Sequence, residues 1–137
     1  MDMQYLKFHG TAMELAENEF AASFTEDVEQ SLVKNIYEEY LRDGSPKTTA
    51  KWLRTKLKNI FRYVDTPPIW IEKSFHPIWP FLDGNPMIFI KQFSVPDNEF
   101  CAQNLSAGTI LYVFGGRRKN EHGFEMIYRV MEQEPGL

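Results

Sequence analysis

The chain has a single cysteine, Cys101, in 137 residues. That excludes an intramolecular disulfide and a zinc site built on cysteines, and it makes a reducing compartment the expected setting. No cation neighbours Cys101 in sequence to stabilise a thiolate, so a nucleophile is not expected there. Long apolar runs are also missing: nothing approaches the roughly 20 residues of a membrane-spanning helix. The opening MDMQYLKFHG lacks the basic stretch and apolar core of a signal peptide. The expectation is a cytoplasmic protein with no membrane association. Positive charge is not in excess either. The net charge is −4, which argues against a dedicated nucleic-acid binder. There is no Gly-x-Ser-x-Gly and no phosphate loop, and His9, His76 and His122 share no metal-ligand spacing. Neither a metal nor a cofactor is expected.

What the chain does have is core material. Hydrophobic residues make up 43% of it, with 11 Phe, 6 Tyr and 3 Trp, enough for one folded domain over residues 1–137. Residues 12–65 read as a helical part. TAMELAENEFAAS predicts a short helix from its composition. In TEDVEQSLVKNIYEEYLRDG, Thr25 is a natural N-cap, and Val28, Leu32, Ile36 and Tyr40 recur every four residues. Val33, Tyr37 and Leu41 widen that stripe, and Gly44 and Pro46 stop the helix. In SPKTTAKWLRTKLKNIFRYVD, Leu53, Leu57, Ile60, Phe61 and Val64 mark a buried stripe, with Trp52 on its flank and Pro67-Pro68 as the terminator. The short Gly-Ser-Pro link predicts a helical hairpin.

Residues 66–137 change texture, with six prolines from Pro67 to Pro96. IWIE reads as a short edge strand, and MIFIKQFSV and TILYVFG as covered central strands. FEMIYRVME alternates, with Phe124, Met126, Tyr128 and Val130 facing one way and Glu125 and Arg129 the other: a half-exposed strand. GGRRKNEHG between the last two strands predicts an antiparallel hairpin with a long, mobile tip. Helices followed by strands give an α+β fold, an N-terminal helical hairpin packed on a mostly antiparallel sheet.

Between the two parts lies WPFLDGNPMIFIKQF, residues 79–93. Asp83-Gly84-Asn85 is a turn, Pro86 suits the first position of the next strand, and Trp79 and Phe81 can fold back over the sheet. The stretch reads as an aromatic plug that meets structural needs first. Trp79-Pro80, Gly84, Pro86-Met87, Phe89 and Gln92, followed by Gly108, Leu111 and Phe114, resemble the pattern of the bacterial YwqG-like proteins, a family of unknown function. The resemblance spans about residues 66–115. It implies a fold more than an activity, and it points toward small cytoplasmic accessory or toxin-immunity-type proteins.

Charge is unevenly placed. Acids dominate from Glu14 to Asp43, whereas Lys47, Lys51, Arg54, Lys58 and Arg62 form one basic stripe. Three functions follow. The leading one is a non-enzymatic protein-binding module, in particular an inhibitor of a toxin that presents Glu26, Glu29, Glu38, Glu39 and Asp43 to a basic partner. The second is a nucleic-acid accessory protein using Lys51, Arg54 and Lys58, a reading weakened because no aromatic residue interleaves with the stripe. The third is a small-ligand enzyme with a pocket near Gln92, built with His76 and Arg117. Gln92 more readily serves as a bridge to loop backbone, and Arg117 and Arg118 as exposed arginines at a hairpin tip. The sequence gives no oligomeric state.

Overall fold

The computed structural model describes residues 2–70, 78–94 and 108–134. Among these residues are three helices, α1 (Met3–Phe20), α2 (Asp27–Arg42) and α3 (Thr49–Ile60). Five strands follow: β1 (Phe81–Leu82), β2 (Asn85–Pro86), β3 (Ile88–Ser94), β4 (Ile110–Asn120) and β5 (Gly123–Gln133). β1 and β2 form a minimal hairpin, and β3, β4 and β5 an antiparallel sheet in that order. The architecture is α+β, as expected, with one more full-length helix than the hairpin. Among the described residues, no helix is long and apolar enough to cross a membrane.

The short helix expected near residue 12 in fact begins at Met3. Asp2 caps it by accepting from the Gln4 N–H at 2.9 Å. Phe8, Ala12 and Ala16 form its buried stripe, and the small alanines let α2 and α3 pack closely on either side. At its C-terminal end Ala21 takes a left-handed φ of 49°, and its carbonyl accepts from both Ile78 N and Trp79 N. The plug is thereby pinned to the end of α1.

Helix α2 begins one residue later than Thr25 suggested. The N-cap is Glu26, and the Glu29 carboxylate accepts from Thr25 N at 2.9 Å and Glu26 N at 3.3 Å. The buried stripe is also rotated from the one expected. Val33, Ile36, Tyr37 and Tyr40 are buried, whereas Val28 and Leu41 are exposed and Leu32 is half-buried. The reason is that α1 meets the Tyr37 side of the helix: Tyr5 and Phe8 each lie 5.0 Å from the Tyr37 ring. Burial, followed by the hydrogen bond to Asp2, raises the Tyr37 pKa above the ordinary phenol value.

Helix α3 stops at Ile60, well before the prolines. The chain then turns extended, and Phe89 N donates to Arg62 O while Val64 N donates to Phe89 O, both at 2.9 Å. Val64, expected in a helical stripe, is instead exposed beside β3. Backbone pairing with β3 ends this helix. Of the expected IWIE strand, Ile69 and Trp70 are not in a strand, and its last two residues lie outside the described ones.

One aromatic chain joins the two parts of the fold. Phe20 stacks on Phe61 at 4.9 Å, Phe61 meets Trp79 at 5.2 Å, Trp79 meets Phe114 at 5.2 Å, and Phe114 meets Phe89 at 5.4 Å. The plug is therefore core, with Trp79 and Phe89 both buried. Its turn carries Asp83 at φ 51° and Gly84 at φ 86°, the pair of positive angles that a tight two-residue hairpin needs.

Candidate functional site

The helices and the plug cover one face of the three-stranded sheet, and Tyr112 and Phe114 of β4 point into them, fully buried. Among the described residues, no element covers the other face, called the open face below. Gly115 fixes which residues lie there, because a Cβ at that position would meet Ile90 Cδ1 at 2.9 Å and the Tyr128 ring at 3.5 Å. The ladder then places Val113 beside Val130, and Arg117 beside Met126, on the same face.

The alternation expected for β5 is present, but its apolar side is the exposed one. Phe124, Met126, Tyr128 and Val130 are between 49% and 64% exposed. Phe93 of β3, also exposed, lies in register with Leu111 on this side. Ile127 and Met131, on the opposite side of β5, are the residues that pack against the core. The inward side of β5 carries Glu125 and Arg129 beside Ile127 and Met131, so composition alone points the wrong way. Register chose: the strand pair closes through the two residues Glu121 and His122, and Asn120 faces Gly123. The long, mobile tip expected over GGRRKNEHG is corrected accordingly. Gly115 to Asn120 continue the strand, and the glycines serve close packing rather than a loop. A Cβ at Gly116 would lie 3.0 Å from Leu82 Cδ2 on the core side.

A bulge between Phe89 and Lys91 resets β3. Gln92 is therefore on the face of Phe89, not that of Ile88 and Ile90 as strict alternation predicts. Its amide is occupied by backbone: Ile69 N donates to Oε1 at 2.7 Å, and Nε2 donates to Ile69 O at 3.2 Å. Arg117 is on the opposite, open face, with its guanidinium 4.7 Å from the Phe124 ring centroid. A pocket shared by Gln92 and Arg117 is thus not formed, and His76, its third expected member, lies outside the described residues, as does Cys101. Arg118 points to the core side and clamps Asp83 with Nε and Nη2 at 3.1 and 3.2 Å. That carboxylate raises the arginine's pKa further and ties the hairpin arm to the β1–β2 turn.

The charged candidates on the helices are scattered in role. Glu29, expected as an exposed partner contact, is buried because its carboxylate caps α2. Glu26 and Glu38 are exposed. Glu39 pairs with Lys56, and Asp43 accepts from Trp52 Nε1 at 2.9 Å. In the basic stripe Arg54 pairs with Glu19 of α1 at 2.7 Å, while Lys51 and Lys58 are exposed. Among the described residues, no group of three or more His, Cys, Asp or Glu side chains could hold a metal.

A groove of about 570 Å³ opens onto the sheet face beside Met126. Arg62, Val64, Pro86, Ile90 and Arg117 are among its lining residues. Comparison with protein-family models, curated proteins and solved structures finds no match to this chain.

Proposed function

We propose that this is a non-enzymatic, cytoplasmic protein-binding module whose binding surface is the open face of the sheet. One observation carries the reading: Phe124, Met126, Tyr128 and Val130 are all exposed along one strand. A contiguous apolar surface of this kind is costly to leave in water and marks an interaction site. The groove beside Met126 gives that surface relief for an apolar side chain, and Arg62 and Arg117 supply charge at its rim. The resemblance to YwqG-like proteins belongs to the same proposal, as does inhibition of a toxin, the particular form of binding suggested by the sequence. In that form the sheet face would meet the toxin, and the exposed Glu26 and Glu38 would steer the approach of a basic surface.

The test is site-specific photo-crosslinking in the native host. A photoreactive residue at Tyr128 or Val130 should yield an adduct with a second, discrete protein, and the same residue at Glu17 on α1 should not. Loss of the adduct in a Met126→Lys background would tie it to the face. Equal labelling from Glu17, or none from the sheet, would overturn the reading.

A further inference from the structure

We propose that two copies of this chain pair edge to edge through β5, antiparallel, with Ile127 on the two-fold axis and Glu125 of each copy opposite Arg129 of the other. The proposal rests on the reading of the sheet as a binding surface and names a second copy as one occupant.

The two edges of the sheet differ. The β3 edge is covered, since the backbone of Arg62 and Val64 hydrogen-bonds to Phe89 and the Gln92 amide holds Ile69. Among the described residues, no strand pairs with the outer edge of β5. Edge strands are normally protected by shortness, by proline or lysine, or by a bulge. β5 runs for 11 residues without Pro or Lys, and its register with β4 is unbroken; of the protections an edge can carry it has only charged side chains, Glu125, Arg129 and Glu132.

The hairpin decides which backbone groups are available. With Asn120 facing Gly123 across the two-residue turn, hydrogen-bonded pairs recur at every second position. The N–H and C=O groups of Glu125, Ile127 and Arg129 are therefore directed at β4. Those of Phe124, Met126, Tyr128 and Val130 are directed outward. A symmetric antiparallel ladder built from the outward groups must have a residue on its axis, and the candidate axes give different neighbours.

An axis at Arg129 sets two guanidinium groups against each other, and an axis at Glu125 sets two carboxylates together. An axis at Tyr128 places Phe124 opposite Glu132, Glu125 opposite Met131 and Arg129 opposite Ile127. An axis at Met126 leaves Glu125 opposite Ile127 and Arg129 opposite Gly123. The axis at Ile127 alone places Glu125 opposite Arg129, and symmetry repeats that pair. It also places Met126 opposite Tyr128 and Phe124 opposite Val130, again twice, on the open face. Charge and apolar patterns thus select one register, and opposite charges and apolar pairs across strands both favour association. The product is a continuous six-stranded sheet whose apolar face crosses the axis and stays available to another protein.

Sedimentation of the purified chain across a range of concentrations tests this. The wild-type protein should pass from monomer to dimer and no further. Glu125→Arg and Arg129→Glu, each of which sets like charges opposite one another, should each remain monomeric. An equimolar mixture of the two should dimerise, because each copy then meets its opposite charge, and the double variant Glu125→Arg/Arg129→Glu should dimerise alone. Recovery in the mixture also shows that neither variant is merely misfolded. A wild-type chain that stays monomeric or assembles beyond a dimer overturns the proposal. So do single reversals that remain dimeric, or a mixture that does not recover. Failure here is read from the purified chain alone, whereas failure of the binding-module reading appears as missing sheet adducts in the host.

Discussion

The indole Nε1 of Trp79 donates to the backbone carbonyl of Met87 at 2.8 Å, in a buried setting. Met87 N in turn donates to Pro80 O at 2.9 Å, so the plug and the entry to β3 are tied twice. The hydrogen bond separates two roles of the side chain. Trp79→Ala removes a ring that contacts Phe20, Phe61, Trp70 and Phe114, and should cost about 3–5 kcal/mol. Trp79→Phe keeps an aromatic ring but leaves the Met87 carbonyl without its indole donor, and should cost about 1–3 kcal/mol. Denaturant melts of both variants check the order. Equal losses would mean that the ring adds nothing beyond the hydrogen bond, and an unchanged Trp79→Phe would mean that the hydrogen bond contributes nothing of its own.

Glu29 and Glu38 sit on the same helix and look alike in sequence, yet only Glu29 accepts the N–H groups of Thr25 and Glu26. Glu29→Lys puts a cation at a helix N-terminus and strips that cap, and a loss of about 1–3 kcal/mol is expected. Glu38→Lys, on an exposed face, should stay within about 0.5 kcal/mol of the parent. Thermal melts of the two variants side by side decide it, and matched melting temperatures would remove Glu29 from the cap.

That pair of residues also marks what could be read in the sequence. Helix α2 was legible because its period and its Gly44 stop are local features. The burial of Glu29 was not, because it depends on where the chain enters the helix. The plug was legible from Trp79 to Phe89, since turn chemistry and apolar runs are local too. The bulge that turns Gln92 toward Phe89 had no local signal, nor did the pairing of Arg62 and Val64 with Phe89 that cuts α3 short. The exposed face of β5 is the largest miss. Its alternation was visible, but the side that faces water is set by register with β4, a long-range property.

The basic stripe is predicted not to bind nucleic acid. Arg54 is already engaged by Glu19, both of them on the surface, so the pair contributes at most about 1 kcal/mol. Fluorescence anisotropy with generic duplex and single-stranded oligonucleotides should show no tight binding at physiological salt. Sub-micromolar binding that falls steeply with salt, and disappears in Lys51→Glu/Arg54→Glu/Lys58→Glu, would revive the nucleic-acid reading.

Gly115 is predicted to be fixed by packing rather than by backbone angle. A Cβ there would lie 2.9 Å from the end of the Ile90 side chain. Gly115→Ala should therefore cost about 1–3 kcal/mol through overpacking. Because the clash is with the terminal methyl group of Ile90, Gly115→Ala/Ile90→Val should recover part of the loss, beyond what the two single changes sum to. Equilibrium unfolding of the four proteins in this cycle measures the coupling. Strict additivity would place Ile90 away from Gly115, and with it the assignment of residues to the open face would fail.

The open face makes the last prediction, which turns on stability and solubility moving apart. Core residues lose stability when made polar, whereas exposed apolar ones do not. Tyr128→Lys/Val130→Lys should therefore melt within about 1 kcal/mol of the parent, the sum of two surface changes. Phe114→Ser, one strand away and fully buried, should cost more than 3 kcal/mol, roughly the loss of a core aromatic. The lysine variant should also bind less of a hydrophobic dye in its native state, since the dye reports exposed apolar surface. A lysine pair that unfolds the protein would show that β5 faces the core through Tyr128 and Val130. The sheet would then have its apolar side inward, and the binding surface proposed for it would not exist.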